Sequence, residues 1–323
     1  MFAVVFPGQG SQKPGMGKEL YERRGPAYEA FSAVAEATGV DVAALCFEGD
    51  EDTLRQTQNA QLALYTCGVA AWAELRAELE SRNLGFPKAM AGHSVGEYAA
   101  LAAAGVISVE DGARLVRRRG EVMASAGGHR KGAMAAVLGL ERDALEKVCR
   151  RASDGRVVVI ANDNSPGQLV ISGDATEVAR AGELATEAGA KRVIPLNVSG
   201  AFHSPLMEEP AAQMREALTS VVFHVQPGQP EVYGNVTAAP VTVAQEWPRL
   251  LEDQLRMPVR WTETVQAMSE ADITHFVEAG VGEVLCGLIR RTVKDAVTAA
   301  VMDPASLEVA CEKLADQISG VGA

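Results

Sequence analysis

Short apolar runs alternate with longer runs of helical periodicity along most of the chain. Buried strands are predicted at 2–6, 231–236 and 273–278 and in the apolar run that ends before Ser94. Helices are predicted around 26–38, 59–80, 244–256 and 283–294. Strands separated by helices are typical of α/β proteins with a mainly parallel sheet. We therefore expect an α/β fold.

The pattern changes between residues 129 and 198. Here the runs predict strand 132–138, helix 141–152, strand 157–162, strand 168–172, helix 174–188 and strand 191–197. That βαββαβ order indicates a small ferredoxin-like subdomain, whose middle strands are joined by a hairpin turn at 162–168. We expect residues 1–128 and 199–323 to form one discontinuous larger domain, with 129–198 inserted in it and a frayed tail at 319–323.

Composition limits the classes of function. The chain has 323 residues and a net charge of −12, which argues against a nucleic-acid or anionic-membrane partner. No apolar run approaches the roughly 20 residues of a membrane span, and the first residues lack the basic leader of a signal peptide, so a cytoplasmic location is expected. Five cysteines without a CxxC pair argue against a disulfide framework or a zinc site. A monomer is the default expectation.

The segment Gly92-His93-Ser94-Val95-Gly96 matches G-x-S-x-G between a predicted strand and an alanine-rich helix. In such a turn the glycines let strand and helix pass closely, and the serine hydroxyl projects from the fold. The Val95 N–H, at the start of the helix, would face the anion formed when Ser94 attacks a carbonyl. The alternative is a glycine-bounded turn in which Ser94 only caps the helix.

A nucleophilic serine needs a base, and His203 is the best placed of the five histidines. It follows the last strand of the insertion in an irregular loop, and the order serine then histidine matches α/β-hydrolase sites. The alternative is that His203 caps the helix begun by Pro205. Elsewhere, His93 is interpreted as structural, His224 and His275 as packed in strands and His129 as solvated. Because no carboxylate stands out as the third member, an amide or backbone carbonyl oxygen is expected to orient the ring.

Arg119 lies on the apolar face of the helix that begins near Ser108. Leu115, Val116, Val122 and Met123 form that face. A guanidinium buried there needs an anion. Two interpretations remain open: an internal carboxylate that locks the helix to the core, or the free carboxylate of a dicarboxylic acyl substrate such as malonyl.

Taken together, these segments resemble the malonyl-CoA:acyl carrier protein transacylases, relatives of polyketide synthase acyltransferase domains. The resemblance covers nearly the whole chain and rests on six segments in order, 6–12, 92–98, 117–120, 162–168, 200–204 and 254–259. It implies an α/β-hydrolase-like core with the ferredoxin-like insertion. Malonyl-CoA and acyl carrier protein are the implied partners, and no metal or bound cofactor is implied.

The resemblance also assigns roles within the site. Ser94 is the implied nucleophile, His203 its base, and Gln254 lies near His203 where a triad acid would otherwise be. The implied substrate-binding residues are Arg119 for the malonyl carboxylate, the backbone amides of Gln9 and Val95 for the oxyanion, the bulky Phe202 against methylmalonyl, and Met123 and Asn162. Basic residues at 117, 118, 130 and 131 are a candidate docking surface for the acidic carrier protein.

The implied reaction is ping-pong malonyl transfer through a malonyl-Ser94 ester. Its alternatives are the acyltransferase of a polyketide pathway and a serine thioesterase or hydrolase, which shares G-x-S-x-G but has no need of a buried Arg119. A non-catalytic carrier-protein-binding domain is disfavoured because Ser94, His203 and Arg119 are all present.

Overall fold

The computed structural model describes residues 1–126 and 132–320, and over these ranges the chain folds into two β-sheets covered by α-helices. The strands are β1 (Phe2–Phe6), β2 (Ala89–Gly92), β3 (Gly132–Leu138), β4 (Val158–Ser165), β5 (Gln168–Asp174), β6 (Arg192–Pro195), β7 (Glu231–Tyr233), β8 (His275–Ala279) and β9 (Val297–Val301). The helices are α1 (Lys18–Glu22), α2 (Pro26–Thr38), α3 (Val42–Glu48), α4 (Glu51–Arg55), α5 (Thr57–Ser81), α6 (Gly96–Ala103), α7 (Val109–Ala126), α8 (Arg142–Ala152), α9 (Ala175–Glu187), α10 (Glu208–Thr219), α11 (Trp247–Gln254), α12 (Trp261–Glu270), α13 (Val284–Thr292) and α14 (Pro304–Gly320).

The larger sheet has the strand order β7-β2-β1-β8-β9, and all its neighbouring strands are parallel. Every residue of the central strand β1 is buried, because helices cover both faces of the sheet. The prediction of a mainly parallel sheet is confirmed. Phe6 lies opposite Gly92 in the register, so the loops that follow β1 and β2 leave the sheet side by side.

The second sheet has the order β4-β5-β3-β6, and its strands are antiparallel. Its four strands and the helices α8 and α9 occur where the sequence predicts them. The predicted turn at 162–168 is wrong in extent: Asn162 to Ser165 belong to β4, and only residues 166 and 167 separate it from β5. These polar residues are held in the strand because Asn162 also pairs with Val259, beyond α11.

Several predicted boundaries differ from the structure. Strand β7 ends at Tyr233 instead of 236 because the chain turns at Gly234, whose N–H donates to Ala239 O. The helix predicted at 244–256 is a short 3-10 turn followed by α11. Helix α14 continues through the first two residues of the predicted tail, and residues 321–323 lie outside the described ranges, as does the proposed boundary at 128/129.

The core is divided by the larger sheet. On one face, the side chains at odd-numbered positions of β1 pack against α12 and α13. Ala3 and Val5 lie in one core cluster with Trp261 and Leu285. On the other face the large core cluster joins the sheet to the long helix α5 and to α2, α6 and α7. Helix α7 thereby packs against α6, which follows β2, and this packing places Arg119 of α7 beside Ser94.

Length and hydropathy bear on whether any helix could enter a bilayer. Among residues 1–126 and 132–320 no single helix could cross a membrane, although α2 and α3 together, bent by 117° at their junction, satisfy the length and composition test.

Candidate active site

Ser94 occupies a strained turn between β2 and α6. Its φ is +54°, in the left-handed region that costs a non-glycine residue energy. The glycines on both sides make this turn possible: a Cβ on Gly92 would collide with the Gly96 carbonyl, and one on Gly96 would collide with Phe6 O. The side chain of Ser94 does not cap α6, so the capping interpretation is wrong.

The Ser94 hydroxyl lies 2.8 Å from Nε2 of His203. His203 is buried, and its Nδ1 lies 2.7 Å from the backbone carbonyl oxygen of Gln254. Because a carbonyl only accepts, Nδ1 carries the proton and Nε2 is free to accept from Ser94. The following helical turn is capped by Ser204, which excludes the capping interpretation for His203.

His203 is held in its neutral form. Burial lowers its pKa to about 3, and the nearby charge of Arg119 acts in the same direction, against the hydrogen bond from Nδ1 to Gln254. The imidazole is therefore available as a base at any pH where an ordinary histidine would be partly protonated.

Arg119 is only 1% exposed, yet it contacts no carboxylate within ion-pair distance among the described residues. Its Nη1 donates to Gln61 Oε1 at 2.6 Å, and its Nη2 donates to Gln254 Oε1 at 2.8 Å and to Ser94 Oγ at 3.1 Å. Its Nε has no partner in the same part of the chain. The internal ion pair, one of the two interpretations of Arg119, is thus not present in the described ranges.

Gln254, the last residue of α11, connects the base, the nucleophile and the arginine. Its main-chain oxygen accepts from His203, and its side-chain oxygen accepts from Arg119. The side-chain nitrogen donates to Ser94 O at 2.8 Å and to Glu97 Oε2. The sequence predicts Gln254 near His203; the structure adds that the contact uses the backbone and not the amide.

A cavity of about 210 Å³ opens in front of Ser94. Eight of the nine predicted site residues line it, namely Gln9, Ser94, Val95, Arg119, Met123, Asn162, Phe202 and His203. Gln254 lies behind them, fully buried. The backbone N–H groups of Gln9 and Val95 donate to no other described residue. The geometry therefore brings a nucleophile, a base, a cation and two unused amide donors to one cavity.

Two buried residues to which the sequence assigns no role, Asn235 and Glu97, support the turn at 92–96, which we call the elbow. Asn235 accepts from the Ser94 N–H at 2.8 Å and donates its side-chain amide to Gly92 O at 2.6 Å. Its own N–H donates to Glu97 Oε1 at 2.7 Å. Burial raises the pKa of Glu97 to about 7. Glu97 belongs to the quoted segment 92–98, whereas no local signal distinguishes Asn235.

The remaining histidines are outside this arrangement. Nε2 of His93 lies 2.8 Å from Asn164 Oδ1, and its ring contacts Trp261 edge-on, which agrees with a structural interpretation. His275 lies half-buried in β8 as predicted, whereas the strand predicted for His224 is wrong, since it is exposed in a loop. His129 lies outside the described residues.

The predicted basic docking cluster is only partly described. Arg117 donates to Glu121 and to Thr38 O, and Arg118 lies 3.9 Å from Glu121. Arg130 and Lys131 fall outside the described residues, so this surface stays a prediction. All five cysteines are buried and unpaired. In residues 1–126 and 132–320 no group of three or more histidine, cysteine or acidic side chains could hold a metal ion.

Comparison with known proteins gives a consistent result. Residues 3–311 match the acyl transferase domain family. The malonyl CoA-acyl carrier protein transacylase of Bacillus subtilis (strain 168) is 42% identical over 316 residues, covering 98% of both chains. The malonyl-CoA:acyl carrier protein transacylase structure from Xanthomonas oryzae pv. oryzae is 43% identical, with a TM-score of 0.90, and covers 97% of this chain and 98% of that chain. A malonyl-transacylase solved in complex with a type II PKS acyl carrier protein is 39% identical, with a TM-score of 0.91, covering 97% and 99%.

Proposed function

The chain belongs to the acyl transferase family and, within it, to the malonyl-CoA:acyl carrier protein transacylases; from this premise we propose that it moves malonyl from coenzyme A to the phosphopantetheine thiol of holo acyl carrier protein through an ester on Ser94. One observation carries the proposal: a buried guanidinium that contacts no carboxylate among the described residues lies 3.1 Å from the nucleophilic oxygen. A substrate with a free carboxylate close to its thioester carbonyl suits that site.

In the first half-reaction His203 Nε2 removes the proton as Ser94 Oγ attacks the thioester carbonyl. The oxyanion is received by the N–H groups of Gln9 and Val95, the latter at the start of α6. When the tetrahedral intermediate collapses, the carbon–sulfur bond breaks and the imidazolium returns the proton to the coenzyme A thiolate. Malonyl-Ser94 and free coenzyme A are the products of this half.

The second half-reaction reverses these roles. His203 takes the proton of the phosphopantetheine thiol, and the sulfur attacks the malonyl ester. Collapse of the second intermediate breaks the bond to Ser94 Oγ, which regains a proton from His203. A neutral histidine suits both halves, because the base must be unprotonated before each attack. The reaction needs no metal or bound cofactor because a thioester is already an activated acyl donor.

Arg119 selects the acyl group. The unpartnered Nε lies on the same edge of the guanidinium as Nη2, so this edge can donate two parallel hydrogen bonds to a carboxylate once Nη2 exchanges its contact with Ser94 Oγ for the substrate. Phe202 and Met123 line the cavity of about 210 Å³, and we assign to the bulky Phe202 the exclusion of an α-methyl group. Malonyl is thereby preferred over acetyl by charge and over methylmalonyl by size.

The same proposal includes the finer fold and the setting. The order β4-β5-β3-β6 supports a ferredoxin-like subdomain, and the strained Ser94 elbow after a parallel strand supports an α/β-hydrolase-like core formed by 1–128 and 199–323. We propose a cytoplasmic monomer. The net charge of −12 supports the absence of nucleic-acid and anionic-membrane partners.

The experiment that tests this function is intact-protein mass spectrometry after brief mixing with malonyl-CoA. Wild type should gain one malonyl group and Ser94→Ala none. Added holo acyl carrier protein should then remove the adduct and gain the same mass. Release of free malonate with nothing on the carrier would contradict transfer and support a thioesterase.

A further inference from the structure

Glu97 is a buried carboxylate directly beneath the nucleophile, and the reaction derived above does not use it. It is 2% exposed, in the first turn of α6. One oxygen accepts from the Asn235 N–H at 2.7 Å, and the other accepts from the side-chain nitrogen of Gln254. Both oxygens are therefore engaged with residues that contact Ser94.

The contacts with Glu97 and with the backbone oxygen of Ser94 together determine which way the Gln254 amide points. The two ends of a glutamine amide have nearly the same shape, so only their partners distinguish them. Glu97 can only accept when ionised, which requires the nitrogen of Gln254 on its side. The oxygen of Gln254 must then face Nη2 of Arg119, as the structure has it.

When Glu97 is ionised, above its pKa of about 7, its negative charge also stabilises Arg119 without a direct contact. A buried guanidinium without a carboxylate is costly, and in the described ranges Arg119 has only neutral acceptors in contact. Gln254 bridges the two charges, donating to Glu97 and accepting from Arg119. The arginine is thus held in one orientation, with its Nε left without a partner among the described residues.

We propose that Glu97 is a positioning residue for acyl selection: through the Gln254 amide it holds Arg119 in the orientation that receives the substrate carboxylate. This inference rests on the proposed malonyl transfer. Asn235 and Gln254 both hold the backbone of Ser94, through its N–H and its carbonyl oxygen, whereas only the Glu97–Gln254 pair also holds the carboxylate anchor.

The direct test is Glu97→Gln, which keeps the size of the side chain and removes its charge. If the oxygen of the introduced amide accepts from the Asn235 N–H, the amino group of that amide faces the nitrogen of Gln254. The Gln254 amide then either loses this contact or turns, giving up its bond to Ser94 O and presenting a donor to Arg119; both outcomes weaken the support of Arg119. At metal sites, loss of a residue that orients a ligand costs about 10- to 100-fold, and we expect an effect of the same order here. We expect the KM for malonyl-CoA to rise about tenfold or more with a much smaller change in kcat, and acetyl loading of Ser94 to change less than about threefold.

The matched control is Glu278→Gln. Glu278 is also fully buried and accepts from the N–H of Cys286, at the start of α13, outside the cavity. The substitution Glu278→Gln makes the same chemical change to a buried carboxylate, but outside the cavity. It should therefore leave the malonyl-to-acetyl ratio unchanged. Thermal unfolding of both variants shows whether their losses of stability are comparable.

Equal losses for malonyl and acetyl in Glu97→Gln would overturn the proposal, because they would mean that Glu97 only supports Ser94. An unchanged ratio at full activity would overturn it as well. If Glu97→Gln does not fold, Gln254→Met serves instead: it removes the bridge, keeps the backbone oxygen at His203, and should show the same malonyl-selective loss. Wild type that forms no malonyl-Ser94 would instead refute the proposed function itself, so the two failures are distinguishable.

Discussion

The backbone carbonyl oxygen of Gln254 lies 2.7 Å from Nδ1 of His203, where a catalytic triad usually has a carboxylate. A carbonyl fixes the tautomer of the imidazole as a carboxylate does, but it brings no negative charge. The pKa of His203 consequently stays low, since neither burial nor the charge of Arg119 is opposed by an anion at the ring.

This relationship predicts a mild effect of Gln254→Ala on the chemistry at Ser94. The backbone oxygen is retained, so the His203 tautomer is retained, and acetyl loading should fall by less than about tenfold. Replacement of a triad carboxylate that orients histidine costs about 10⁴-fold in kcat. Pre-steady-state loading with acetyl-CoA, followed by intact mass, measures the rate. A loss near 10⁴-fold would show that the side chain, and not the carbonyl, orients the ring.

Arg119→Ala should suppress malonyl loading far more than acetyl loading. The substitution removes a charge-assisted, two-point contact worth about 2–3 kcal/mol, which corresponds to about a hundredfold in kcat/KM for malonyl-CoA. Arg119→Lys keeps the charge without the two parallel donors and should lie between wild type and Arg119→Ala. Steady-state kinetics with both acyl-CoA substrates checks this. If the two substrates lose equally, Arg119 is not the carboxylate anchor.

Asn235→Ala should harm both acyl groups alike. It leaves the Ser94 N–H and the Gly92 carbonyl unpaired in a buried turn, at a cost of about 1–3 kcal/mol for each group. We expect a clear fall in the midpoint of thermal unfolding and similar losses of malonyl and acetyl loading. Asn164→Ala, which removes the contact to His93, is the matched control and should have the smaller effect on loading. A malonyl-selective loss in Asn235→Ala would contradict the division of tasks at the elbow.

His203 should stay neutral between pH 8 and pH 5 in the free protein, because its pKa is lowered to about 3. NMR of the histidine ring carbons measures this, with His203→Ala to assign the signal. In Arg119→Ala the pKa should rise, since one of the two main causes of its depression is removed. A midpoint near 6.5 in the wild type would contradict the prediction.

Local chemistry explains how much of the site could be predicted. The turn around Ser94 is recognised from five consecutive residues, and Arg119 stands out because its own helix has an apolar face. Asn235 and Glu97 are 138 positions apart, and Gln254 and Glu97 are 157 apart. Their contacts depend on how α6, α11 and the β7 turn pack together, which no periodicity within one segment can reveal.

The secondary structure, too, is predicted correctly only where one segment carries a clear pattern of its own. Strands β1 and β3 have the predicted bounds because each is a continuous apolar run. The short helices α3 and α4 are not predicted, although Asp41 and Asp50 cap them, because seven and five residues are too few to show a helical period. The predicted β4 ends too early because Asn162 to Ser165 have turn-forming side chains, and pairing with β5 overrides that preference.

Glu278 provides a stability prediction that is independent of catalysis. Burial raises its pKa from the ordinary 4.5 to about 7, and one of its oxygens has no partner among the described residues. Below pH 4.5 the carboxyl group is protonated in both the folded and the unfolded protein. Between pH 4.5 and 7 the unfolded chain releases this proton while the folded protein keeps it, so this contribution to stability is lost as the pH rises.

Glu278→Gln has no such proton to lose, so its free energy of unfolding should increase relative to wild type as the pH is raised from 4.5 to about 8. The difference can reach about 3 kcal/mol, because a tenfold change in proton affinity corresponds to about 1.4 kcal/mol. Urea unfolding of both proteins across this range measures it. Comparison with wild type cancels the opposite contribution of His203, and Glu312→Gln on the exposed side of α14 controls for the change of net charge. A difference that does not vary with pH would show that folding does not raise the pKa of Glu278, and the capping contact with Cys286 would then be that of a full carboxylate at neutral pH.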